Sequence, residues 1–298
     1  MRYIGHLVLN YVELYCKKTI DEEKRIFMSL EELAITAARQ AGQLLAAMQD
    51  SINPREKAPK DLVTEADVAS QKRILEILTA ERPTDNFLGE EDLSEEADLP
   101  GLDRTVGAEA DLKQLEYCWV IDPLDGTANY VHKLQTYSVS IALLNYGEPI
   151  VAAVYDPVMD DCYSATRGKG ARVNGKPIEH SGVEQLSRSL IAASFSAGVQ
   201  RGSPEVDRWV EMLYECQALR RLGSAALNLC YVAQGGLDGY WATSVKIWDI
   251  AAGILVVREA GGTVTSIDGG PLNIQEAKFI AAATENLHEQ MIDVLNRA

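Results

Sequence analysis

Two aspartates that follow an apolar run are the first residues whose types and spacing could support chemistry. The run Trp119-Val120-Ile121 leads directly into Asp122-Pro123-Leu124-Asp125-Gly126. Because Pro123 restricts the backbone, both carboxylates and the Leu124 carbonyl can face one point, and Gly126 lets the backbone approach an anion closely. Oxygen donors of this kind suit Mg²⁺ or Mn²⁺ better than Zn²⁺ or copper. The motif therefore predicts a divalent-metal site at the end of a strand.

A surface turn is the alternative interpretation of this motif, because turns favour aspartate, proline and glycine. The apolar flank argues for the metal site. An interior strand would bring Asp122 and Asp125 into surroundings where unpaired carboxylates are costly unless cations compensate them. If a helix begins near Thr127, its free amides add an anion-binding site beside the metal.

Two more acidic positions could complete such a site. Glu90 lies in the segment Gly89-Glu90-Glu91-Asp92, and Asp249 follows Trp248 at the start of an apolar helix predicted over residues 250–259. Each position also has a simpler explanation, because acidic runs are usually solvated surface and aspartate is a common helix N-cap. Both explanations stay open at the level of the sequence.

Hydrophobic periodicity predicts the elements that must position these residues. Helical spacing predicts amphipathic helices over residues 30–48 and 66–82. Runs rich in β-branched and aromatic residues predict strands over 117–121, 137–146 and 150–155, the last two forming a hairpin of a largely antiparallel sheet. A loop is predicted over 93–116. Farther on, an α/β pattern is predicted from strands over 190–195, 263–267 and 279–283 and helices near 204–216, 223–234 and 249–260.

The overall charge limits the partners that the protein can have. The chain of 298 residues carries 44 acidic and 28 basic side chains, a formal charge of −16, which would repel a polyanion. Nucleic acid is therefore not expected as the main partner, and a phosphate-bearing ligand would need a cation that reverses the local field. With five scattered cysteines and no apolar run of membrane-spanning length, we expect a cytoplasmic protein without a membrane partner. Residues 1–27 are predicted to be an N-terminal extension.

Three separated motifs resemble the inositol monophosphatase family of lithium-sensitive, magnesium-dependent phosphatases. They are Gly89-Glu90-Glu91, Asp122-Pro123-Leu124-Asp125-Gly126-Thr127-Ala128-Asn129, and Trp248-Asp249-Ile250-Ala251-Ala252-Gly253 with Glu259-Ala260-Gly261-Gly262. Leu62-Val63-Thr64-Glu65-Ala66-Asp67 and Gly168-Lys169-Gly170-Ala171 also fit. The resemblance implies a layered αβαβα sandwich of the inositol monophosphatase and fructose-1,6-bisphosphatase type. It would have an α+β half over residues 28–172 and an α/β half over 173–298 that meet at the metal site.

The resemblance also implies roles for particular residues. Up to three Mg²⁺ ions, with Mn²⁺ as a substitute, would be held by Glu90, Asp122, the Leu124 carbonyl, Asp125 and Asp249. The amides of Gly126 and Thr127 would hold the phosphate, and Asp67 would orient the Thr127 hydroxyl. Catalysis would use Glu90, Thr127 and Asp67, with a metal-activated water attacking phosphorus. Lys57 resembles a family lysine, although its spacing to Asp67 is one residue short.

The pattern departs from the family on the substrate side. Inositol-preferring members carry a glutamate where this chain has Ala242, and Lys246 adds a cation nearby. The predicted substrate-side residues are Ser196, Ser224, Ala225, Ala242 and Lys246. The missing hydroxyl acceptor weakens recognition of a polyol, whereas the added lysine could favour a second anionic group on the substrate.

The resemblance leaves several functions open. The first expectation is a homodimeric phosphomonoesterase for inositol monophosphate or a similar small polyol or sugar phosphate. The alternatives within the enzyme class are fructose-1,6-bisphosphatase, histidinol-phosphate phosphatase and 3′-phosphoadenosine-5′-phosphate phosphatase. A regulatory binding protein that retains the fold is an alternative of another class, since some bacterial relatives are thought to contact the transcription or translation machinery. The third possible function is that of a structural protein that binds magnesium without catalysing a reaction.

Overall fold

The computed structural model describes residues 28–58, 61–93, 99–196 and 198–297. The predicted N-terminal extension and the side chain of Lys57 therefore lie outside the described residues. Two β-sheets dominate the fold, and helices pack on both outer faces and between the sheets. The order of the elements along the chain explains how these layers form.

The first outer layer is a pair of helices. Helix α1 (Leu30–Met48) begins at a capping box in which the Ser29 side chain and the Glu32 carboxylate satisfy each other's backbone amides. Strands β1 (Arg55–Ala58) and β2 (Asp61–Val63) form a small antiparallel ribbon, and helix α2 (Glu65–Glu81) follows. The alanine- and leucine-rich faces of α1 and α2 pack together and onto the first sheet.

The first sheet has seven strands in sequence order. They are β3 (Asn86–Gly89), β4 (Tyr117–Asp125), β5 (Ser138–Asn145), β6 (Glu148–Asp156), β7 (Asp161–Thr166), β8 (Ala171–Val173) and β9 (Lys176–Pro177). Only β3 and β4 pair in parallel; the other neighbours are antiparallel. The predicted hairpin is confirmed as β5–β6, and Tyr146 and Gly147 take the positive φ values that its tight turn needs.

The second sheet has five strands in the order β11-β10-β12-β14-β13. These strands are β10 (Leu190–Ser194), β11 (Ala218–Arg220), β12 (Gly239–Ala242), β13 (Thr263–Ser266) and β14 (Phe279–Ala282). The connecting helices are α3 (Thr127–Val131), α4 (Pro204–Glu215), α5 (Ala225–Ala233), α6 (Ile247–Glu259) and α7 (Glu285–Leu295). Each predicted helix of this half is present, and α6 begins three residues before the predicted position 250 because Lys246, not Asp249, is its N-cap.

Three hydrophobic cores hold the layers together. Helices α5 and α6 are apolar on nearly every face because they lie between the two sheets. The second core joins α1 and α2 to the first sheet, and the third joins α4 and α7 to the second sheet. The layers therefore alternate as α, β, α, β, α, which confirms the predicted sandwich.

Two further predictions concern the connections. The predicted loop over 93–116 contains, in its described part, only the short 3₁₀ turns Leu102–Arg104 and Leu112–Gln114. The division of the chain after residue 172 stays a prediction, and the first sheet itself continues to Pro177 in β9. None of the helices in the described ranges is long and apolar enough to cross a membrane.

Candidate active site

An irregularity in β4 brings its two aspartates to the same side of the sheet. Asp122 pairs with Ser140 of β5 and Asp125 pairs with Ser138, so β4 carries one extra residue between these pairs. Residues three apart in a regular strand point to opposite faces, and a bulge removes that difference. Asp122 and Asp125 are both buried, at 1% and 7% exposure. The motif is therefore part of an interior strand rather than a surface turn.

Asp125 is held by the start of α5. Its carboxylate accepts hydrogen bonds from the Ser224 hydroxyl, from the amide of Ala225 at 3.1 Å and from the amide of Ala226 at 2.8 Å. The Ser138 hydroxyl lies 3.5 Å from the same carboxylate. These donors fix the position of Asp125 but carry no full positive charge, so they leave its negative charge uncompensated.

Glu90 and Asp249 reach the site from neighbouring elements. Strand β3 pairs with β4 up to Gly89 and Ile121, and the Glu90 amide continues this pairing by donating to the Ile121 carbonyl at 3.2 Å. Glu90 thus follows the strand beside Asp122. Asp249 is the third residue of α6, and one of its oxygens accepts the Lys246 amide at 2.8 Å. Asp249 therefore takes part in capping and faces the other acids as well.

The electrostatics of this cluster are unfavourable in the absence of a counter-charge. Burial, together with the charges of Glu90, Asp125 and Asp249, raises the pKa of Asp122 well above its ordinary value. Burial also raises the pKa of Asp125 to about 6 and that of Asp249 to about 8. None of the ion pairs between described residues includes Asp122, Asp125 or Asp249. Buried carboxylates of this kind call for bound cations.

Thr127 occupies the turn that follows β4. Gly126 has a φ of +89°, and a Cβ there would lie 3.0 Å from the Thr136 carbonyl oxygen, so only glycine fits without strain. The Thr127 hydroxyl lies 3.0 Å from the Leu124 carbonyl oxygen and 3.3 Å from Asp67 Oδ1, either of which can accept its proton. The other Asp67 oxygen accepts the Thr64 amide at 2.8 Å and the Thr64 hydroxyl at 2.7 Å.

These groups surround a cavity of about 190 Å³. The residues that line it are Glu90, Asp122, Leu124, Asp125, Gly126, Thr127, Ser194, Phe195, Arg221, Gly223, Ala225, Val245 and Asp249. The structure thus brings all five predicted metal-site residues together with both predicted phosphate-binding residues. Asp67 stands behind Thr127 rather than in the wall itself.

Of the five predicted substrate-side residues, only Ala225 lines the cavity. Ser224 is fully buried behind it, bound to Asp125. Ala242 is fully buried in β12. Ser196 and Lys246 are exposed and lie outside the lining of the cavity.

Sequence reasoning missed five lining residues, Ser194, Phe195, Arg221, Gly223 and Val245, and it missed Ser138 as a neighbour of Asp125. For Arg221 a signal was present, since it stands three residues before Ser224, which together with Ala225 was predicted to lie on the substrate side.

The donor set fits a hard divalent cation. Carboxylate and carbonyl oxygens are the ligands that Mg²⁺ and Mn²⁺ prefer, and neither histidine nor cysteine lines the cavity among the described residues. In the described part of the chain, no three acidic, histidine or cysteine side chains are close enough to share one ion as they stand.

The fold and the site together define a layered α/β protein with an acidic, oxygen-donor cavity that is lined by the end of β4, the end of β10 and the starts of α5 and α6. The chain belongs to the inositol monophosphatase family, whose model matches residues 28–298. A Nus factor SuhB from Pasteurella multocida (strain Pm70) is 37% identical over 261 residues, which cover 86% of this chain and 92% of that protein.

Solved structures extend this likeness. The structure of inositol monophosphatase from Anabaena (Nostoc) sp. PCC 7120 matches with a TM-score of 0.76 and 34% identity, covering 91% of this chain and 96% of that one. A structure of an IMPase/NADP phosphatase complexed with Mg²⁺ and phosphate matches with a TM-score of 0.73 and 26% identity, covering 87% and 92%. The family match begins at residue 28, so the predicted extension over residues 1–27 lies outside it.

Proposed function

We propose that the protein is a magnesium-dependent phosphomonoesterase that hydrolyses inositol monophosphate or a similar small polyol or sugar phosphate. The observation that carries this proposal is the set of three aspartates, Asp122, Asp125 and Asp249, which face one cavity and have no cationic partner among the described residues. Divalent cations would compensate these charges and at the same time attract a phosphate ester. Family membership supports the same conclusion.

The residues that would hold the ions are Glu90, Asp122, Asp125, Asp249 and the Leu124 carbonyl. Up to three Mg²⁺ ions are proposed, with Mn²⁺ as a substitute. When bound, such ions neutralise phosphate oxygens, stabilise a leaving alkoxide and make a coordinated water more acidic. The similarity to a phosphatase structure complexed with Mg²⁺ and phosphate supports this choice of metal.

The chain's own groups position the ester and the attacking water. The amides of Gly126 and Thr127 open α3, where backbone amides have no partner in a preceding turn, and they are proposed to bind phosphate oxygens. The Thr127 hydroxyl donates its proton to the Leu124 carbonyl or to Asp67, so its lone pairs can accept a hydrogen bond from water. Asp67 acts through Thr127 as a positioning residue.

The proton of the attacking water is proposed to pass to the Glu90 carboxylate. The water oxygen then bonds to phosphorus and the ester P–O bond breaks. The proton held by Glu90 passes through solvent to the leaving alkoxide, which restores the Glu90 carboxylate. No covalent intermediate with the protein is needed. Positioning and charge stabilisation therefore supply most of the rate enhancement.

Phosphate release tests this proposal directly. The substrates are inositol 1-phosphate, fructose 1,6-bisphosphate, histidinol phosphate and 3′-phosphoadenosine 5′-phosphate, each assayed with Mg²⁺ and with a chelator. We expect Mg²⁺-dependent release from at least one ester, and which ester reacts decides among the enzyme alternatives. Lithium in excess is expected to inhibit the reaction. Absence of release from every ester, with folded protein and Mg²⁺, contradicts the proposal.

A regulatory binding role is the second candidate, because several relatives bear the name Nus factor SuhB. Such a role would not need hydrolysis. Pull-down with the wild-type chain and with Asp122→Asn separates the two roles, since a regulatory partner should be retained by a catalytically silent variant. A homodimer in the cytoplasm is also proposed; light scattering and cell fractionation test these two points.

A further inference from the structure

Arg221 is the single cationic side chain among the described residues that line the acidic cavity. It lies in the connection between β11 and α5, whereas the carboxylates come from β3, β4 and α6. The proposed reaction assigns it no role, because the phosphate would be bound by the ions and by the Gly126 and Thr127 amides. A cation in the wall of a small anion-binding cavity needs a separate explanation.

Aromatic contacts hold the Arg221 guanidinium in place. Its Cζ lies 4.5 Å from the centroid of the Phe195 ring, and its Nη2 donates to the Phe195 carbonyl at 3.0 Å. Phe195 in turn packs edge-on against Trp209 and stacks on Trp241, with centroid distances of 5.6 Å and 6.4 Å. Because Trp241 is fully buried, this stack anchors an exposed arginine to the core of the second sheet.

Most of the hydrogen-bonding capacity of Arg221 remains unused. No ion pair between described residues includes it, although the chain has 16 more acidic than basic side chains. The bond to the Phe195 carbonyl uses one N–H of Nη2, so one of the two paired-donor edges of the guanidinium, Nε with Nη2 or Nη1 with Nη2, stays complete for a ligand. Two such donors in a planar fork match the oxygens of a phosphate or carboxylate group.

We propose that Arg221 is a specificity-determining residue that binds a second anionic group, phosphate or carboxylate, on the alcohol part of the substrate. This inference rests on the proposed phosphatase activity and narrows its substrate class. The predicted cation on the substrate side was Lys246, but that residue is exposed and outside the lining.

Matched pairs of esters test the inference. Fructose 1-phosphate and fructose 1,6-bisphosphate differ by a phosphate, and glycerol 2-phosphate and 2-phosphoglycerate differ by a carboxylate. In each pair, the two-anion ester is the one that carries a second phosphate or a carboxylate. For the wild type we expect a higher kcat/KM for the two-anion ester of at least one pair, and that pair shows whether Arg221 binds a phosphate or a carboxylate. In Arg221→Gln, the ratio of kcat/KM within that pair should fall roughly 10- to 100-fold, mainly through KM, as expected for charge-assisted hydrogen bonds.

Two further variants separate recognition from general effects. Arg221→Lys keeps the charge but not the fork, so its ratio should lie between those of the wild type and Arg221→Gln. Arg220→Gln is the matched control, since this exposed neighbouring side chain donates to the Leu219 carbonyl and does not line the cavity. It should keep the wild-type ratio, and thermal unfolding verifies that each variant is folded.

The outcomes distinguish this inference from the proposed function. If the wild type hydrolyses one-anion esters with Mg²⁺ but shows no preference in either pair, the inference is wrong and the phosphatase proposal stands. If Arg221→Gln lowers kcat/KM equally for both members of a pair, Arg221 acts on the transferred phosphate and the inference is again overturned. If no ester is hydrolysed, the proposed function itself fails.

Discussion

The two walls of the cavity are built in opposite ways. On the acidic wall, the buried carboxylates of β4 and the half-buried Asp249 of α6 are held by amides and hydroxyls, and their charges are uncompensated within the described part of the chain. On the other wall, the guanidinium of the exposed Arg221 lies over the Phe195 ring. Phe195 stacks on Trp241, and this stack restricts the movement of Arg221. We expect the acidic wall to supply the chemistry that hydrolysis of any phosphate ester requires, and the cationic wall only to discriminate among esters.

This difference predicts that substitutions on the acidic wall change the rate for every ester. Asp122→Asn removes one proposed metal ligand while keeping the size of the side chain. We expect kcat/KM to fall about 10³-fold or more for each ester. This loss would exceed the one commonly seen when a single oxyanion-hole hydrogen-bond donor is removed from an enzyme. Steady-state phosphate release measures it. Unchanged turnover in folded Asp122→Asn would remove the acidic wall from the mechanism.

Magnesium should stabilise the folded chain through the same wall. Ligand that binds only the native state adds RT ln(1 + [L]/Kd), about 2.7 kcal/mol at a concentration 100 times Kd. Wild-type protein should therefore unfold at a higher temperature with Mg²⁺ than with a chelator. Mg²⁺ should raise the unfolding temperature of Asp122→Asn by less than that of the wild type. Differential scanning calorimetry at constant ionic strength, with Mg²⁺ and with a chelator, measures both increases. Equal increases in both proteins would place the binding elsewhere.

Ser224→Ala tests how the acidic wall is held. The Ser224 hydroxyl donates to Asp125 and also caps α5 by accepting the Leu227 amide at 3.2 Å. Loss of a hydrogen bond that orients a metal ligand commonly costs about 10- to 100-fold in metal affinity or activity, and we expect a loss in that range. Ser196→Ala is the matched control, because Ser196 is exposed and outside the lining. Similar activities of the two variants would refute the orienting role.

Phe195→Leu tests the support of the cationic wall. Leucine keeps an apolar side chain and the backbone carbonyl but removes the ring beneath Arg221. An exposed cation–π contact contributes about 0.5–1 kcal/mol, so the preference for two-anion esters should weaken by only a few-fold. Tyr214→Leu, which changes an exposed aromatic residue on α4, should leave that preference unchanged. A loss as large as that of Arg221→Gln would show that the stack contributes more than its contact with the guanidinium.

His288 belongs to neither wall and gives the smallest expected effect. Burial lowers its pKa below the ordinary value, although Glu285 and Glu289 act in the opposite direction, and its Nε2 lies 2.9 Å from the Thr265 hydroxyl. The unfolded chain therefore takes up a proton at a higher pH than the folded chain does. The stability that depends on neutral His288 is therefore fully present above the pKa of this residue in the unfolded chain. It should be lost as pH falls through the pKa of this residue in the folded chain.

The free energy of unfolding measured against pH checks this expectation. In His288→Gln the decrease on acidification should be smaller than in the wild type, because the titrating group is gone. His132→Gln, at an exposed histidine in the C-cap of α3, should keep the wild-type slope. Identical slopes in all three proteins would exclude a contribution from His288.

The sequence was most informative where local chemistry determines local structure. The β5–β6 hairpin and the helices of the second half follow from periodicity and turn residues, and the order of the layers follows from the family resemblance. The position of Asp122 and Asp125 at the end of an interior strand was also predictable, because an apolar run precedes them. The bulge that aligns their side chains was not, since register depends on the partner strand.

The substrate side was harder to predict because side-chain direction there depends on distant packing. Ser224 was expected to face the substrate but turns to Asp125, which lies 99 residues earlier in the chain. Lys246 was the expected cation, yet Arg221 is drawn to the cavity by Phe195, a contact between two loops that no local pattern reveals. For the same reason, the roles assigned to these residues stay predictions.

Helices α2 and α6 share a feature with a practical consequence. In each, the backbone amide before the helix donates to the carboxylate of the third helical residue, Thr64 to Asp67 and Lys246 to Asp249, both at 2.8 Å. Each of these carboxylates also belongs to the proposed catalytic site, so a change in its charge or direction must alter the amide bonded to it. In ¹⁵N-labelled protein, the NMR resonances of these two amides should therefore report whether the proposed reaction centre is occupied, one from the side of Asp67 and one from the side of Asp249.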